Sequence, residues 1–318
     1  MLECDRGCAP TPLQMLIPLL PSVSTPSRPT ALPYLAMGMG ILALGFSALF
    51  VRWANAPGPV TGFYRMSLGS LILTPLVLRR RNPRRTWSKT GLLLAMLGGI
   101  FLAVDLALWN TSINLTSAAN ATLFGNAAPL WVALAAPLLF GERLRGRFWL
   151  GLMVTLAGGA IVAGSDFMRH PRLGSGDLLA LSASLFYAGY FLSTQRGRKE
   201  LDSLTYVWVA CASSGVCLLA ITRLLGQPLT GYPPQTYLAF LGTALVSQTL
   251  GYVCVGYALG HLPASFVSPT MVGQPVMTAL LAVPFLGEHL TGAQLLGGGA
   301  VIAGILLVHR SRNGPGVP

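Results

Sequence analysis

The chain has 318 residues, of which 53% are hydrophobic and only 9% charged, with a net charge of +12. A mean hydropathy of +0.63 lies outside the usage of soluble domains, so lipid must solvate most of the chain. The positive balance does not describe a nucleic-acid-binding surface: the basic residues fall in short clusters between apolar runs, a pattern explained by orientation in a membrane.

Residues 1–32 are rich in Pro, Ser and Thr, and their apolar part, Leu13 to Leu20, is broken by Pro18. This composition predicts a disordered N-terminal extension. Glu3 and Asp5 stand where a signal peptide needs basic residues. Of five cysteines, Cys4 and Cys8 lie in the extension, while Cys211, Cys217 and Cys254 lie in apolar runs and read as small packing residues.

Crossing about 30 Å of hydrocarbon takes about 20 helical residues. Ten runs qualify, at 33–52, 59–78, 90–109, 116–140, 147–165, 176–195, 203–225, 235–259, 264–286 and 291–309. The expected fold is an all-α polytopic membrane protein with ten transmembrane helices. With the N-terminus cytoplasmic, sixteen of the 21 Lys and Arg residues fall on the inner side, notably Arg79 to Lys89, Arg143 to Arg147 and Arg196 to Lys199. The positive-inside rule therefore predicts a plasma (inner) membrane protein with both termini cytoplasmic.

A shift of 146 residues aligns Pro129 with Pro275, Gly141 with Gly287, Glu142 with Glu288, Gly151 with Gly297 and Gly158 with Gly304. The chain thus reads as a duplication: residues 33–165 form the first five-helix repeat, 174–310 the second, and 311–318 a cytoplasmic tail. An odd number of helices per copy inverts the second copy. The charges agree, since GERLRGR in the first copy is matched by GEHLTG in the second. Inverted repeats place a site near the midplane that opens to each side in turn.

The stretches FVRWANAPGPVTGFYRMSLGSLIL, TSAANATLFGNAAPLWVALAAPLLFGERL and LPASFVSPTMVGQPVMTALLAVPFLGEHLTGAQLLGGGAVIAG resemble the EamA-like members of the drug/metabolite transporter superfamily. The resemblance covers nearly all of residues 33–310. It implies ten helices around a central cavity and ATP-independent export of amino acids or related metabolites. It also matches Arg65, Glu142 and Glu288 to family positions, whereas His289 stands where the family usually has Arg.

A charge at the bilayer centre costs about 2.5 to 3.5 kcal/mol on insertion scales, so a buried ion calls for a reason. Asp105 is expected roughly 7 Å deep and Arg65 roughly 9 Å deep, from 1.5 Å per helical residue. Similar depth makes an Arg65–Asp105 ion pair one reading and a clasp its structural role. In the other reading Asp105 binds a substrate amine or a coupling proton. Trp109 shares the face of Asp105 by i, i+4 spacing, as Tyr252 shares that of Gln248. Asn120, Phe124 and Asn126 on helix four, with Thr270 and Gln274 on helix nine, are further cavity candidates, with interhelical hydrogen bonding as the alternative.

Pro129 and Pro275 are hinge candidates, and Glu142 and Glu288 structural residues at turns. Gly99 with Ala103, Ala160 with Gly164 and Ala300 with Gly304 read as small-residue helix contacts. The partners expected are a small-molecule substrate, the bilayer and a proton, with no cofactor and no metal. Two rival classes remain: a membrane-embedded enzyme, for which no H-E-x-x-H or G-x-S-x-G motif is present, and an ATPase-dependent permease subunit, for which the inner loops are short.

Overall fold

In hydrocarbon an amide has no water to bond, so an apolar segment must close its hydrogen bonds within itself as a helix. Ten helical segments follow one another in the computed structural model, which describes residues 31–80, 87–113, 115, 124–163, 174–286 and 290–312. They are α1 (Leu32–Ala54), α2 (Gly58–Arg80), α3 (Lys89–Ile113), α4 (Ala128–Phe140), α5 (Gly146–Ala163), α6 (Ser175–Gly197), α7 (Ser203–Leu224), α8 (Pro234–Leu259), α9 (Ala264–Met271 continued by Gly273–Leu286) and α10 (Gly292–Arg312). No strand occurs among the described residues.

Seven of these segments, all but α4, α5 and α6, are long and apolar enough to cross a membrane. The described parts of α4 and α5 are shorter apolar helices. The 23 residues of α6 carry Asp177, Gln195 and Arg196 and bury Ala180, Ala183, Ala188 and Phe191 against neighbours, so protein rather than lipid covers much of this helix. The protein is an all-α polytopic membrane protein. The N-terminal extension up to residue 30, Asn120, Glu288, His289 and residues 313–318 lie outside the described residues.

Local chemistry sets the helix ends. α1 stops where Asn55 takes a left-handed φ of 44°, a conformation that asparagine tolerates. The carbonyl of Pro57 then receives the Thr61 amide and opens α2. α4 ends on Gly141, with φ 69° and its N–H on the Pro137 carbonyl. Asp202 caps α7 by accepting the amides of Leu204 and Thr205 at 3.0 and 3.1 Å.

The packing repeats itself across the two halves. α2 lies on α7, and α5 on α10. α3 packs on α6 and α7, and the matching helix of the second half, α8, packs on α2 and reaches α1, where Ser247 donates to the Ala43 carbonyl at 3.1 Å. α4 meets α6 through Trp131 Nε1 and Ser184 Oγ at 2.8 Å; α9 meets α1 through Thr278 Oγ1 and the Gly45 carbonyl at 2.9 Å. Each contact thus has a partner related by exchange of the halves, as a pseudo-two-fold axis requires.

Two of the glycine pairs that align under the 146-residue shift, Gly151 with Gly297 and Gly158 with Gly304, meet at this axis. A Cβ on Gly158 would lie 2.7 Å from the Gly297 carbonyl oxygen and 2.6 Å from Val301 N. A Cβ on Gly151 would lie 2.9 Å from the Gly304 carbonyl oxygen. Backbones approach directly because no side chain intervenes, and close packing is the main force joining helices in lipid. Gly158→Val should therefore separate α5 from α10 and destabilise the bundle by about 1–3 kcal/mol, as overpacking does. Thermal unfolding in detergent checks this, with Gly146→Ala, where a Cβ meets nothing within 4 Å, as the control.

Candidate functional site

A cavity of about 710 Å³ lies between the halves, within the size range of small-molecule sites. α1, α2, α3, α4 and α5 contribute one wall, and α6, α8, α9 and α10 the other. Its lining reaches Arg52 at the end of α1 and Gln294 near the start of α10.

Arg65 is 6% exposed and held from three sides. Its Nε donates to Gln248 Oε1 at 2.9 Å and its Nη1 to Ser47 Oγ at 2.9 Å, while Cζ stands 5.4 Å from the Tyr252 ring centroid. A guanidinium suits this position because it offers separate donors in a fixed plane and a face for an aromatic ring. Asp105 lines the same cavity, one helical turn from Trp109. The hydrogen bonds of Arg65 run to Gln248 and Ser47, while Asp105 lines the same cavity within the guanidinium's electrostatic reach.

Asp105 also stands apart by comparison with the other described acids. Asp202 caps α7, and Asp177 accepts the Gly174 amide at 2.9 Å in front of α6. Glu200 is exposed at a turn. Glu142 is engaged at the opposite end of the bundle from Arg52. Of these five acids, Asp105 is the one that lines the cavity.

Trp109, Asn126, Tyr252 and Gln274, expected at a cavity, line it, as do the two hinge candidates Pro129 and Pro275. Gln248 does not. It is 1% exposed, lies behind Arg65, and its Nε2 donates to Cys211 Sγ at 3.2 Å. Arg65 covers it: Gln248 and Tyr252 share a face of α8 and both meet the guanidinium, Gln248 through the hydrogen bond and Tyr252 through its ring. Gln248 lies in a π-helical stretch, Thr243–Gly251, and such turns recur at functional sites. Cys211 is thereby also more than a packing residue. Thr270 points elsewhere, bonding the Phe266 carbonyl and His309 Nε2.

Sequence reasoning missed Ser47, Tyr187 and Ser268. Ser47 is the lone polar residue in the run ALGFSALF, which is a usable signal. Tyr187 and Ser268 look like ordinary members of their helices.

α4 and α9 are interrupted at equivalent places. Turn residues Asn126 and Ala127 precede Ala128–Phe140, and Val272 separates the two parts of α9. Under the 146-residue shift Asn126 falls on Val272, and each break comes three residues before its proline. A proline in the first turn of a helix costs no hydrogen bond, so both residues start a helix rather than kink its middle. Irregular backbone at this depth is tolerated where it borders a cavity. Gly125 lets Trp109 in: a Cβ there would lie 3.1 Å from the indole.

At the far end, Glu142 joins the halves. Its Oε1 accepts from Gln195 Nε2 at 3.2 Å, and its Oε2 accepts from Ser265 Oγ. Gln195 Oε1 in turn accepts the Ala264 amide at 2.6 Å, at the positive end of α9. The turn residue of the first half thus anchors α6 and α9 of the second. Glu142→Ala should cost about 1.5–3 kcal/mol, the range for hydrogen bonds to charged groups. Comparing its unfolding temperature with that of Glu142→Gln, which keeps an acceptor, tests this.

A helical bundle with inverted halves and a polar cavity between them is the architecture of a membrane transporter. The chain belongs to the EamA-like transporter family, which matches residues 32–164 and 174–310. Among its relatives, the threonine/homoserine exporter RhtA of Salmonella typhimurium is 29% identical over 88% of this chain and 92% of that protein. A probable terminal-alkyne amino-acid exporter of Streptantibioticus cattleyicolor is 25% identical over 77% of this chain and 82% of its own length. A solved crystal structure superposes with a TM-score of 0.74 at 20% identity, covering 90% of this chain and all of the other, which establishes likeness of fold.

Proposed function

We propose that this transporter exports small zwitterionic metabolites, amino acids or related compounds, by alternating access around the cavity. The observation that carries the reading is one cavity bordered by both a fixed guanidinium, Arg65, and a carboxylate, Asp105. A zwitterion offers a carboxylate to the first and an ammonium to the second. The exporters of amino acids among its relatives support the same class.

Residues 33–165 and 174–310 move as the two repeats, hinged where the α4 and α9 helices are broken before Pro129 and Pro275, while Glu142 holds the turn between α4 and α5. The membrane is the plasma (inner) membrane, with both termini, including the 311–318 tail, cytoplasmic. The cavity then faces outward and the Glu142 end is closed. Asp105 takes up a proton when the solute leaves, which couples export to the gradient: one charge crossing the membrane field gains about 2.3 kcal/mol per 100 mV.

The test uses purified protein in liposomes with an imposed pH gradient and a labelled amino acid. Gradient-driven movement without ATP is the expected result. Chemical conversion of the solute, or movement only when an ATPase is supplied, would overturn the proposal.

A further inference from the structure

Among the residues that line the cavity, Asn126 and Ser268 each carry a buried polar atom without a hydrogen-bond partner, Nδ2 and Oγ; the other such atoms among the described residues, as at Ser214 and Thr222, belong to residues outside the lining. Folded proteins leave few such groups, because a donor taken from water without replacement is destabilising. Ser268 is 1% exposed and sits mid-helix, four residues before the α9 break. Helical hydroxyls elsewhere in this protein fold back onto the carbonyl four residues earlier, as Thr155, Thr194 and Thr270 do at 2.7–2.8 Å. The hydroxyl of Ser268 does not take that partner. Asn126 lies in the α4 break itself, where the chain leaves the helical path before Pro129.

We infer that Asn126, from the α4 break, and Ser268, from α9, supply further recognition groups, which hydrogen-bond the polar side chain of the transported solute. The inference rests on the proposed function and narrows it: the preferred cargo is an amino acid bearing a hydroxyl or amide rather than its hydrocarbon analogue. The two charges bind the head common to all amino acids. Around them the lining includes Leu44, Val162, Met271 and Val272, which offer a side-chain oxygen no hydrogen bond. A hydrocarbon analogue would leave the Asn126 and Ser268 groups buried and unpaired, and sites built to bond a polar group reject solutes that lack it.

Size-matched competitors measure this directly in the liposome assay: threonine against valine, serine against 2-aminobutyrate, and glutamine against homoleucine. The wild type should prefer the polar member of each pair by about tenfold, the equivalent of one unpaired buried donor. Asn126→Leu and Ser268→Ala should bring the ratios to within about twofold while both members are still carried. Equal inhibition within each pair by the wild type overturns the inference, and that reading needs no variant to fold. Ratios unchanged in both variants overturn it as well. Transport without discrimination sinks this inference alone, whereas absence of amino-acid transport sinks the proposed function together with it.

Discussion

Asp105→Asn is expected to reduce pH-gradient-driven transport by about ten- to a hundredfold, the equivalent of 1.5–3 kcal/mol from a hydrogen bond to a charged group. The carboxylate is the acid at the cavity among the described residues, and no other described acid is placed to replace it. Two readouts separate its roles. If Asp105 carries the proton, solute exchange at equal pH persists in Asp105→Asn while net gradient-driven movement is lost. If it binds only the ammonium, both fall together, and Asp105→Glu recovers part of each. Wild-type behaviour of Asp105→Asn in both assays would falsify any part for this residue in transport.

The second large effect is expected at Arg65. Arg65→Met removes the donor from Gln248 Oε1 and Ser47 Oγ and leaves Tyr252 without its cation, so both binding and folding should suffer. Stranding a buried acceptor costs about 1–3 kcal/mol, visible as a lower unfolding temperature. Arg65→Lys is the more informative variant. Its single ammonium cannot hold both Gln248 and Ser47 in one plane, so transport should drop about tenfold or more while the fold persists. Gln248→Leu should then mimic Arg65→Lys in raising KM, because Gln248 acts through the guanidinium. A KM for Gln248→Leu equal to the wild-type value would show that Gln248 merely fills space.

How much of this was readable in advance depends on the range of each interaction. Asp105 and Arg65 stand out in apolar runs because the cost of a charge in lipid is a property of the residue and its place along the helix. The repeat was equally open, since Pro129 and Pro275 or Gly158 and Gly304 need only a shift of the chain against itself. The partner of Arg65 was not. Gln248 lies 183 residues away, and i, i+4 spacing put its side chain in the cavity. Gln248 and Tyr252 do share a face, but Arg65 of α2 lies over Gln248, and nothing in the sequence of α8 announces which side chain of another helix will cover it.

Glu142 shows the same division. Its place at a turn between helices was legible, but its bonds run to Gln195 and Ser265 in the other half, 53 and 123 residues on. Local hydropathy, charge bias and duplication therefore determine that the chain is a ten-helix membrane bundle with inverted halves, because each reads on a single helix or on the chain's own period. Which polar side chains face the cavity and which hold one another is decided only by packing between helices. Along any one helix, a serine such as Ser268 looks the same whether it closes on its own backbone or keeps its hydroxyl for a ligand.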